Sequence, residues 1–420
     1  MSGLLFGVFA ITLLIGVPIG FAILISSVSV LVAGDVSLLI VIQRMFASTD
    51  SFPLIAVPFF IFAGDLLAQG AISKRLVEFA EAGLGRLRGG LTLVSVGAAM
   101  FFSAISGSGA ATTAAVGTTM LPELKARGYR EESSAALIAS AGTIGVVIPP
   151  SVPMVLYAVI ADQSVVQLFR NGFLPGIAMG LVLMAISLVQ AYRYNYPQGT
   201  KFSLKNLWIT FTRAIWGLIM PAIILGGIFS GYFTPSEAAV IAVVYAVFAS
   251  MVIYRDLSFK DIYKIMVGSV RTSAVIMIII ACSGSFGWAL ANWKIPQDIA
   301  ASVLSISSSK YVIMFLVCII ILIAGVFMET SSAIIILTPV FLPLIGGVGI
   351  NLVHFGIVFT VGMAIGMVTP PVAINLFVAS SITKLPIERI AAKVGPYLIG
   401  LIIVLFLTAY LPMFFPGLIF

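Results

Sequence analysis

The stretch 144–150 (IGVVIPP) decides the fold, because it returns 221 residues later as 365–371 (IGMVTPP). The same offset relates three further pairs: Leu121-Pro122 and Leu342-Pro343, Gly128 and Gly349, and Ala158 and Ala379. A constant offset across about forty residues indicates an internal repeat, the signature of a fold built from duplicated units.

Each copy of this motif places a double proline inside a membrane-length apolar run. Proline lacks a backbone donor and clashes with the preceding turn. Each run is therefore predicted as two half-helices joined by unwound backbone, the first over 133–165 and the second over 353–384. Unwound backbone inside a bilayer is tolerated only where protein or a water-filled cavity satisfies it. Matched broken helices in two halves are typical of the binding site of a secondary transporter.

The composition predicts an all-α polytopic protein of the lipid bilayer. The chain is 61% hydrophobic and 9% charged, with a mean hydropathy of +1.19, whereas soluble domains have about 25% charged residues. A soluble helical protein of this length would lack a polar surface. The sequence contains one histidine and no Walker loop, catalytic triad or nucleic-acid module. An enzyme and a nucleic-acid partner are therefore disfavoured, and pumping energy must come from an ion gradient or a partner.

The basic residues responsible for the net charge of +7 are clustered along the chain, and we interpret their positions as a signal of membrane topology. Eighteen of the 22 Lys and Arg residues fall in five stretches: 74–88, 125–130, 193–213, 255–271 and 384–393. Basic loops of membrane proteins lie in the cytoplasm. The apolar run 91–124 lies between two such loops, so it is predicted to be a re-entrant hairpin that turns near 106–109.

The second copy has the opposite orientation. The run 311–345 follows a crossing that starts from the basic stretch 255–271, so its hairpin opens to the outside and turns near 328–331. The fold is therefore predicted as two inverted-topology repeats, 1–200 and 201–420. Three crossings precede each hairpin: 2–17, 18–34 and 51–72 in the first repeat, with 36–48 as an interfacial segment, and 214–231, 235–254 and 272–293 in the second.

The first hairpin tip, 103–113, is rich in glycine and hydroxyl side chains. Glycine lets the backbone turn sharply and hydroxyls add neutral oxygen ligands, and Na⁺ binds such oxygens and unwound carbonyls in transporters. Close packing between membrane helices favours the same small residues. The double proline in the same repeat favours a cation site.

The second tip adds one ionisable side chain, Glu329. Its carboxylate could coordinate a cation, take a proton, or cap the following half-helix at its N-terminus. Asn375 is a polar residue in an apolar run and could meet a substrate or a half-helix end. Two structural roles are also predicted: 234–237 (TPSE) as a capping box, and Asp65 near a span end facing the headgroups.

Taken together, these motifs resemble those of the large membrane subunit of tripartite ATP-independent periplasmic (TRAP) transporters over essentially the full length. The resemblance rests on 16–19 (GVPI), 106–109 (SGSG), 142–151 (GTIGVVIPPS), 234–239 (TPSEAA) and 369–375 (TPPVAIN). It implies an elevator transporter of the bacterial inner membrane. Two hairpins and two broken helices would slide against a scaffold, with Na⁺ as the coupling ion.

The resemblance also implies partners and ligands. The partners are a small four-helix membrane subunit and a soluble periplasmic substrate-binding protein that delivers an organic carboxylate, of the sialic acid or C4-dicarboxylate type. One Na⁺ site would use Ser103, Ser106, Gly145, Ile148 and Pro149. The other would use Gly325, Gly366 and Thr369, with Met328 or Thr330 nearby. Substrate would lie near Ser108, Thr112, Glu329, Ser331 and Asn375.

Two alternatives remain open from the sequence. A standalone ion-coupled anion transporter would share the architecture and need no binding protein. A channel or a membrane-embedded enzyme is the other class.

Overall fold

The computed structural model describes residues 1–69, 72–198, 203–415 and 417. Within them the regular secondary structure is helical, apart from one isolated antiparallel bridge between Arg88 and Gln198. Among the described residues, eight helices are long and apolar enough to cross a membrane. This confirms the predicted all-α polytopic class.

In its described part, the first half contains ten α-helices. They are α1 (Ser2–Leu14), α2 (Ile19–Ala33), α3 (Leu39–Thr49), α4 (Ala56–Gln69, after a 3₁₀ turn Phe52–Ile55), α5 (Ile72–Leu84), α6 (Gly90–Ser106), α7 (Gly109–Ala126), α8 (Glu131–Gly142, followed by a 3₁₀ turn Thr143–Val146), α9 (Val152–Ile160) and α10 (Val165–Arg193).

The described residues of the second half form nine. They are α11 (Leu204–Phe229), α12 (Pro235–Phe248, extended by a π-helical turn Ala249–Tyr254), α13 (Phe259–Asn292), α14 (Ile295–Ile306), α15 (Lys310–Phe327), α16 (Thr330–Gly347), α17 (Leu352–Gly366), α18 (Ile374–Thr383) and α19 (Ile387–Phe414).

The 221-residue offset read from the sequence also relates the helices. Shifted by 221 residues, α7 coincides with α16, and the same shift brings α6, α8, α9 and α10 onto α15, α17, α18 and α19 to within a few residues. Gly128 and Gly349 both adopt a positive φ, +79° and +69°, in the turns that follow α7 and α16. Backbone of this kind favours glycine, so the loops are duplicated as well as the helices.

Three predicted boundaries were wrong. α1 has 13 residues and ends before 17, while α11 begins at Leu204 rather than at 214. The crossing predicted over 272–293 is the second part of the 34-residue α13, which runs through most of the basic stretch 255–271. A prediction based on hydropathy ends a membrane helix where charged residues begin. Lys and Arg are nevertheless good helix formers, and a capping box between Ser258 and Asp261 starts this helix early.

The capping box predicted over 234–237 is confirmed. The Thr234 hydroxyl oxygen accepts from the backbone N–H of Glu237, while the Glu237 carboxylate accepts from the backbone N–H of Thr234. The placement of Asp65 was wrong: its carboxylate is half-buried and accepts a 2.6 Å hydrogen bond from the Ser269 hydroxyl. That bond ties α4 to α13, and a polar partner is what a carboxylate away from water requires.

The helices pack in two groups. In one, α2 and α3 lie against α13, and α4 lies against α12. In the other, each hairpin contacts the broken helix of the opposite half: α7 packs on α18 and α16 packs on α9. The hairpins and broken helices of the two halves are therefore interlocked in one body.

Candidate functional site

The first hairpin tip is held by hydroxyl groups. Gly107 ends α6 with φ +60°, and Ser108 caps α7 by accepting from the backbone N–H of Ala111. The hydroxyls of Ser106 and Thr112 lie 2.9 Å apart, and Thr112 donates to the Ser108 carbonyl at 2.8 Å. Ser106 and Thr112 are buried. The tip is therefore a compact cluster of oxygen atoms rather than a flexible loop.

This tip rests directly on the first broken helix. A Cβ added to Gly145 would lie 2.5 Å from the Thr112 hydroxyl oxygen and 2.6 Å from the Ser108 carbonyl oxygen. A Cβ on Gly107 would lie 2.8 Å from the carbonyl oxygen of Pro150. Any side chain at these two positions would push the tip away from the break, so glycine is required for the approach.

The first break leaves carbonyl groups free. The Ser151 hydroxyl donates to the Val146 carbonyl at 2.5 Å, and the N–H of Ile148 still bonds to Ile144. The described residues make no hydrogen bond to the carbonyl oxygens of Ile148 and Pro149. Buried carbonyls normally have partners, so these two oxygens are available to a cation.

The second hairpin tip is built around a carboxylate. Glu329 caps α16, with one oxygen accepting from the backbone N–H of Ser332 at 3.0 Å and the other from the Ser331 hydroxyl at 3.1 Å. Of the three roles the sequence allowed for Glu329, the cap is therefore observed. The adjacent Thr330 is 1% exposed, and its hydroxyl has no hydrogen-bond partner.

The second tip also rests on its own broken helix. A Cβ on Gly366 would lie 2.5 Å from the Gly325 Cα and closer still to the Gly325 carbonyl group. The backbones of α15 and α17 therefore touch at these glycines. Beyond Gly366, the Thr369 hydroxyl donates to the Ile365 carbonyl at 2.8 Å, and the N–H of Asn375 closes the break by bonding to the Met367 carbonyl.

Asn375 joins the two halves. Its side-chain amide, fully buried in α18, donates to the Ala139 carbonyl of α8 at 3.0 Å. The side-chain oxygen, Oδ1, is buried and has no hydrogen-bond partner in the described part of the chain. An orphan acceptor of this kind needs an explanation, and its position between the broken helices makes it a candidate ligand contact.

The structure brings two sets of the predicted site residues together, one at each hairpin tip. Ser106, Ser108, Thr112 and Gly145 lie in mutual contact at the first tip. The second group contains the contact of Gly325 with Gly366 and the neighbouring Thr369. The oxygen-rich first group fits a hard cation such as Na⁺.

Four predicted residues have structural contacts of their own. The buried Ser103 donates to the Ala99 carbonyl of its own helix, and the Ile148 side chain occupies the space beside Gly176 of α10. Pro149 forms a cis peptide bond with Pro150, and Met328 ends α15 in extended conformation.

Sequence reasoning missed Thr113 and Gly142. The Thr113 hydroxyl donates to Gly109, and a Cβ on Gly142 would overlap that hydroxyl oxygen. Gly64 of α4 was also missed: a Cβ there would lie 2.8 Å from the Ser106 carbonyl oxygen. Gly142 lies in the motif 142–151, so its sequence context indicated a role at the break. The residues around Gly64 give no indication of the backbone that it contacts.

Comparison with known proteins identifies the family. Residues 6–414 match the model of the family described as "Tripartite ATP-independent periplasmic transporter, DctM component". The chain belongs to this family. It is therefore the large permease subunit of a TRAP transporter, a multi-pass protein of the inner membrane and not an enzyme.

Curated relatives cover nearly the whole chain. It is 42% identical over 98% of its length to the isethionate TRAP transporter permease protein DctMQ of Oleidesulfovibrio alaskensis, of which it spans 66%. It is 39% identical over 88% of its length to the C4-dicarboxylate TRAP transporter large permease protein DctM of Pseudomonas aeruginosa, spanning 86% of that protein. It is 33% identical over 99% of its length to the sialic acid TRAP transporter large permease protein SiaM of Vibrio cholerae, spanning 97% of it.

The fold is also that of a solved transporter. The crystal structure of the Alcanivorax borkumensis YdaH transporter, which has an unusual topology, aligns with a TM-score of 0.67. The alignment covers 90% of this chain and 88% of that one at 14% identity. The TRAP permease thus shares its architecture with a transporter of distant sequence.

Proposed function

We propose that this TRAP permease subunit forms the translocation path of a Na⁺-coupled importer of a small organic carboxylate. One observation carries the proposal. Each of the two unwound segments is met by a hairpin tip at a glycine that admits no side chain, Gly145 in one half and Gly366 in the other. Matched breaks of this kind are where secondary transporters bind ion and substrate.

The coupling ion would bind at the breaks. The first site would use the hydroxyls of Ser103 and Ser106 together with backbone oxygens of 145–149. Its support is the two unbonded carbonyls at Ile148 and Pro149. The second would use backbone oxygens of Gly325 and Gly366 with Thr369, and either Met328 or Thr330. Its support is the buried, unpartnered Thr330 hydroxyl. Neutral oxygens in a dry site suit an alkali cation.

The substrate would lie between the tips, near Ser108, Thr112, Glu329, Ser331 and Asn375. The half-helices α7 and α16 begin there, and helix N-termini attract carboxylates. The Asn375 oxygen would accept a hydrogen bond from a substrate hydroxyl. Relatives are named for isethionate, C4-dicarboxylates, 2,3-diketo-L-gulonate and sialic acid. We infer a small organic acid, of the C4-dicarboxylate or sialic acid type.

Transport would proceed by an elevator motion. The interlocked hairpins and broken helices form one body that would slide past the group containing α4. The contact between Gly64 of α4 and the Ser106 backbone supports this motion, since no side chain of Gly64 interlocks the two surfaces. Small residues let helices approach closely in membranes.

The permease would act with two partners, a small membrane subunit and a periplasmic substrate-binding protein. The family name describes a tripartite periplasmic system. One relative, longer than this chain, carries the combined name DctMQ.

The test is uptake into proteoliposomes that contain the permease and its small membrane subunit. Candidate carboxylates are offered with and without a Na⁺ gradient, and with and without a periplasmic binding protein. We expect uptake only when both are present. Gradient-driven uptake without the binding protein would assign the chain to the standalone transporters, and uptake indifferent to Na⁺ would refute the cation sites.

A further inference from the structure

A basic cavity of about 560 Å³ lies outside the site described above, where α5, α11 and the π-helical turn after α12 converge. Three cations line it: Lys74, Arg75 and Arg213. Glu78 is the acidic residue in its wall. None of the ion pairs within 4.0 Å among the described residues involves these three cations.

Arg75 has a hydrogen-bond donor that the described residues leave unsatisfied. Its guanidinium carbon lies 3.7 Å from the centroid of the Tyr254 ring, so the aromatic face stabilises the charge on one side. Its Nη1 atom is shielded from solvent and has no hydrogen-bond partner among the described residues. A shielded guanidinium donor without an acceptor is unfavourable, whereas a phosphate oxygen would satisfy it with a charge-assisted hydrogen bond.

The cavity wall is also held in place by the backbone. The Tyr254 hydroxyl donates to the Arg213 carbonyl at 3.1 Å, and the Tyr245 hydroxyl donates to the Trp216 carbonyl at 2.6 Å. The π-helical turn Ala249–Tyr254 supplies Ile253 and Tyr254 to the wall. Single π-helical turns are rare and recur at functional sites.

The location of the cavity identifies the source of the anion. Its walls come from the basic stretches 74–88 and 193–213 and from the residues just before Arg255, all of which the positive-inside rule places at the cytoplasmic face. Trp216 and Tyr254, in the wall, are the residue types that settle at headgroup level. Next to them α12 and the π-helical turn expose an apolar row, Val244, Phe248 and Val252, along which acyl chains can lie.

We propose that this cavity binds the phosphate of an anionic phospholipid from the cytoplasmic leaflet. Arg75 and Arg213 hold the phosphate, Lys74 adds positive charge at the rim, and Trp216 borders the glycerol backbone. Basic pockets between membrane helices on the cytoplasmic side recognise acidic headgroups in this manner. The lipid would fill the junction between α5, α11 and α12 and fix their relative positions.

The experiment is native mass spectrometry of the permease together with its small membrane subunit, extracted from vesicles of phosphatidylcholine and phosphatidylglycerol. Wild type is compared with Arg75→Gln and Arg213→Gln. Lys264→Gln is the matched control, because Lys264 is an exposed cation of the same basic face outside the cavity. We expect each cavity variant to retain phosphatidylglycerol about fivefold less tightly, and the control to match wild type.

Further variants and conditions distinguish the proposed lipid from other possible occupants of the cavity. Arg75→Lys keeps the charge and is expected to retain more lipid than Arg75→Gln, and circular dichroism melting verifies that both variants fold. Equal retention by wild type and both cavity variants would overturn the proposal. Displacement of the lipid by an equal concentration of inorganic phosphate would also overturn it, because the cavity would then be a soluble-anion site. Lipid that binds only after the small subunit is removed would do the same, because the cavity would then be a subunit interface.

Discussion

The contact between Gly325 and Gly366 gives the sharpest test of the proposed coupling. In Gly366→Ala the new methyl group would lie 2.5 Å from the Gly325 Cα and nearer still to its carbonyl group. Carbon atoms in contact are normally about 3.5–4.0 Å apart, so the tip must retreat by about 1 Å. Both partners are backbone, and no side-chain rotation can relieve the overlap.

The size of the effect follows from overpacking. Inserting one methyl group into a fixed contact costs about 1–3 kcal/mol, which corresponds to about a 5-fold to 150-fold change in an equilibrium constant. If backbone oxygens of this contact hold Na⁺, the variant should need correspondingly more Na⁺ for half-maximal uptake. The second hairpin would also dock less tightly.

The assay is the Na⁺ dependence of substrate uptake in proteoliposomes, alongside thermal unfolding in Na⁺ and in K⁺. The control is Gly346→Ala near the end of the same hairpin, where an added Cβ meets no atom within 4 Å. That substitution should leave uptake unchanged and stabilise α16 by up to about 1 kcal/mol. A Gly366→Ala protein with wild-type Na⁺ dependence would refute the reasoning.

Three further substitutions extend the test. Gly145→Ala should weaken Na⁺ activation by a similar factor, because its methyl group meets the Thr112 hydroxyl and the Ser108 carbonyl; a Na⁺ titration of uptake measures it. Asn375→Leu should abolish uptake and lower the stability by about 0.5–1.5 kcal/mol, since it removes the side-chain hydrogen bond to the Ala139 carbonyl; denaturation and uptake on one preparation separate the two effects. Glu329→Gln should lower the stability by only about 0.3–1 kcal/mol and keep uptake if the carboxylate serves as a helix cap, whereas loss of uptake in a folded variant would assign it to ligand binding.

Much of the fold could be predicted from the sequence because the decisive signals are local. Double prolines force breaks wherever they occur, and the turns at 106–109 and 328–331 were found from glycine and polar residues inside apolar runs. The internal repeat predicts the correspondence between the halves, since the single offset of 221 residues relates five consecutive helices of each half.

Helix ends and long-range contacts were not predictable in the same way. The start of α13 depends on a cap that acts against the hydropathy signal. The partner of Asp65 is a serine 204 residues away, and the sequence around neither residue predicts the contact with the other. Gly64 and Thr113 gain their roles only when a second backbone approaches. These contacts depend on how the helices pack in the folded protein, and no local sequence pattern predicts them.

The hydrogen bond from Asn375 to Ala139 has a consequence for biogenesis. The two residues are 236 residues apart, so at a synthesis rate of about 5–20 residues per second roughly 10–50 s separate their emergence from the ribosome. Throughout that interval α8 is already in the membrane without the Asn375 side chain, and α7 lacks the α18 surface on which it packs. The first half is thus a folding intermediate that waits for the second, exposed to membrane quality control. Pulse-labelled truncations ending near residue 198 should be degraded faster than the full chain.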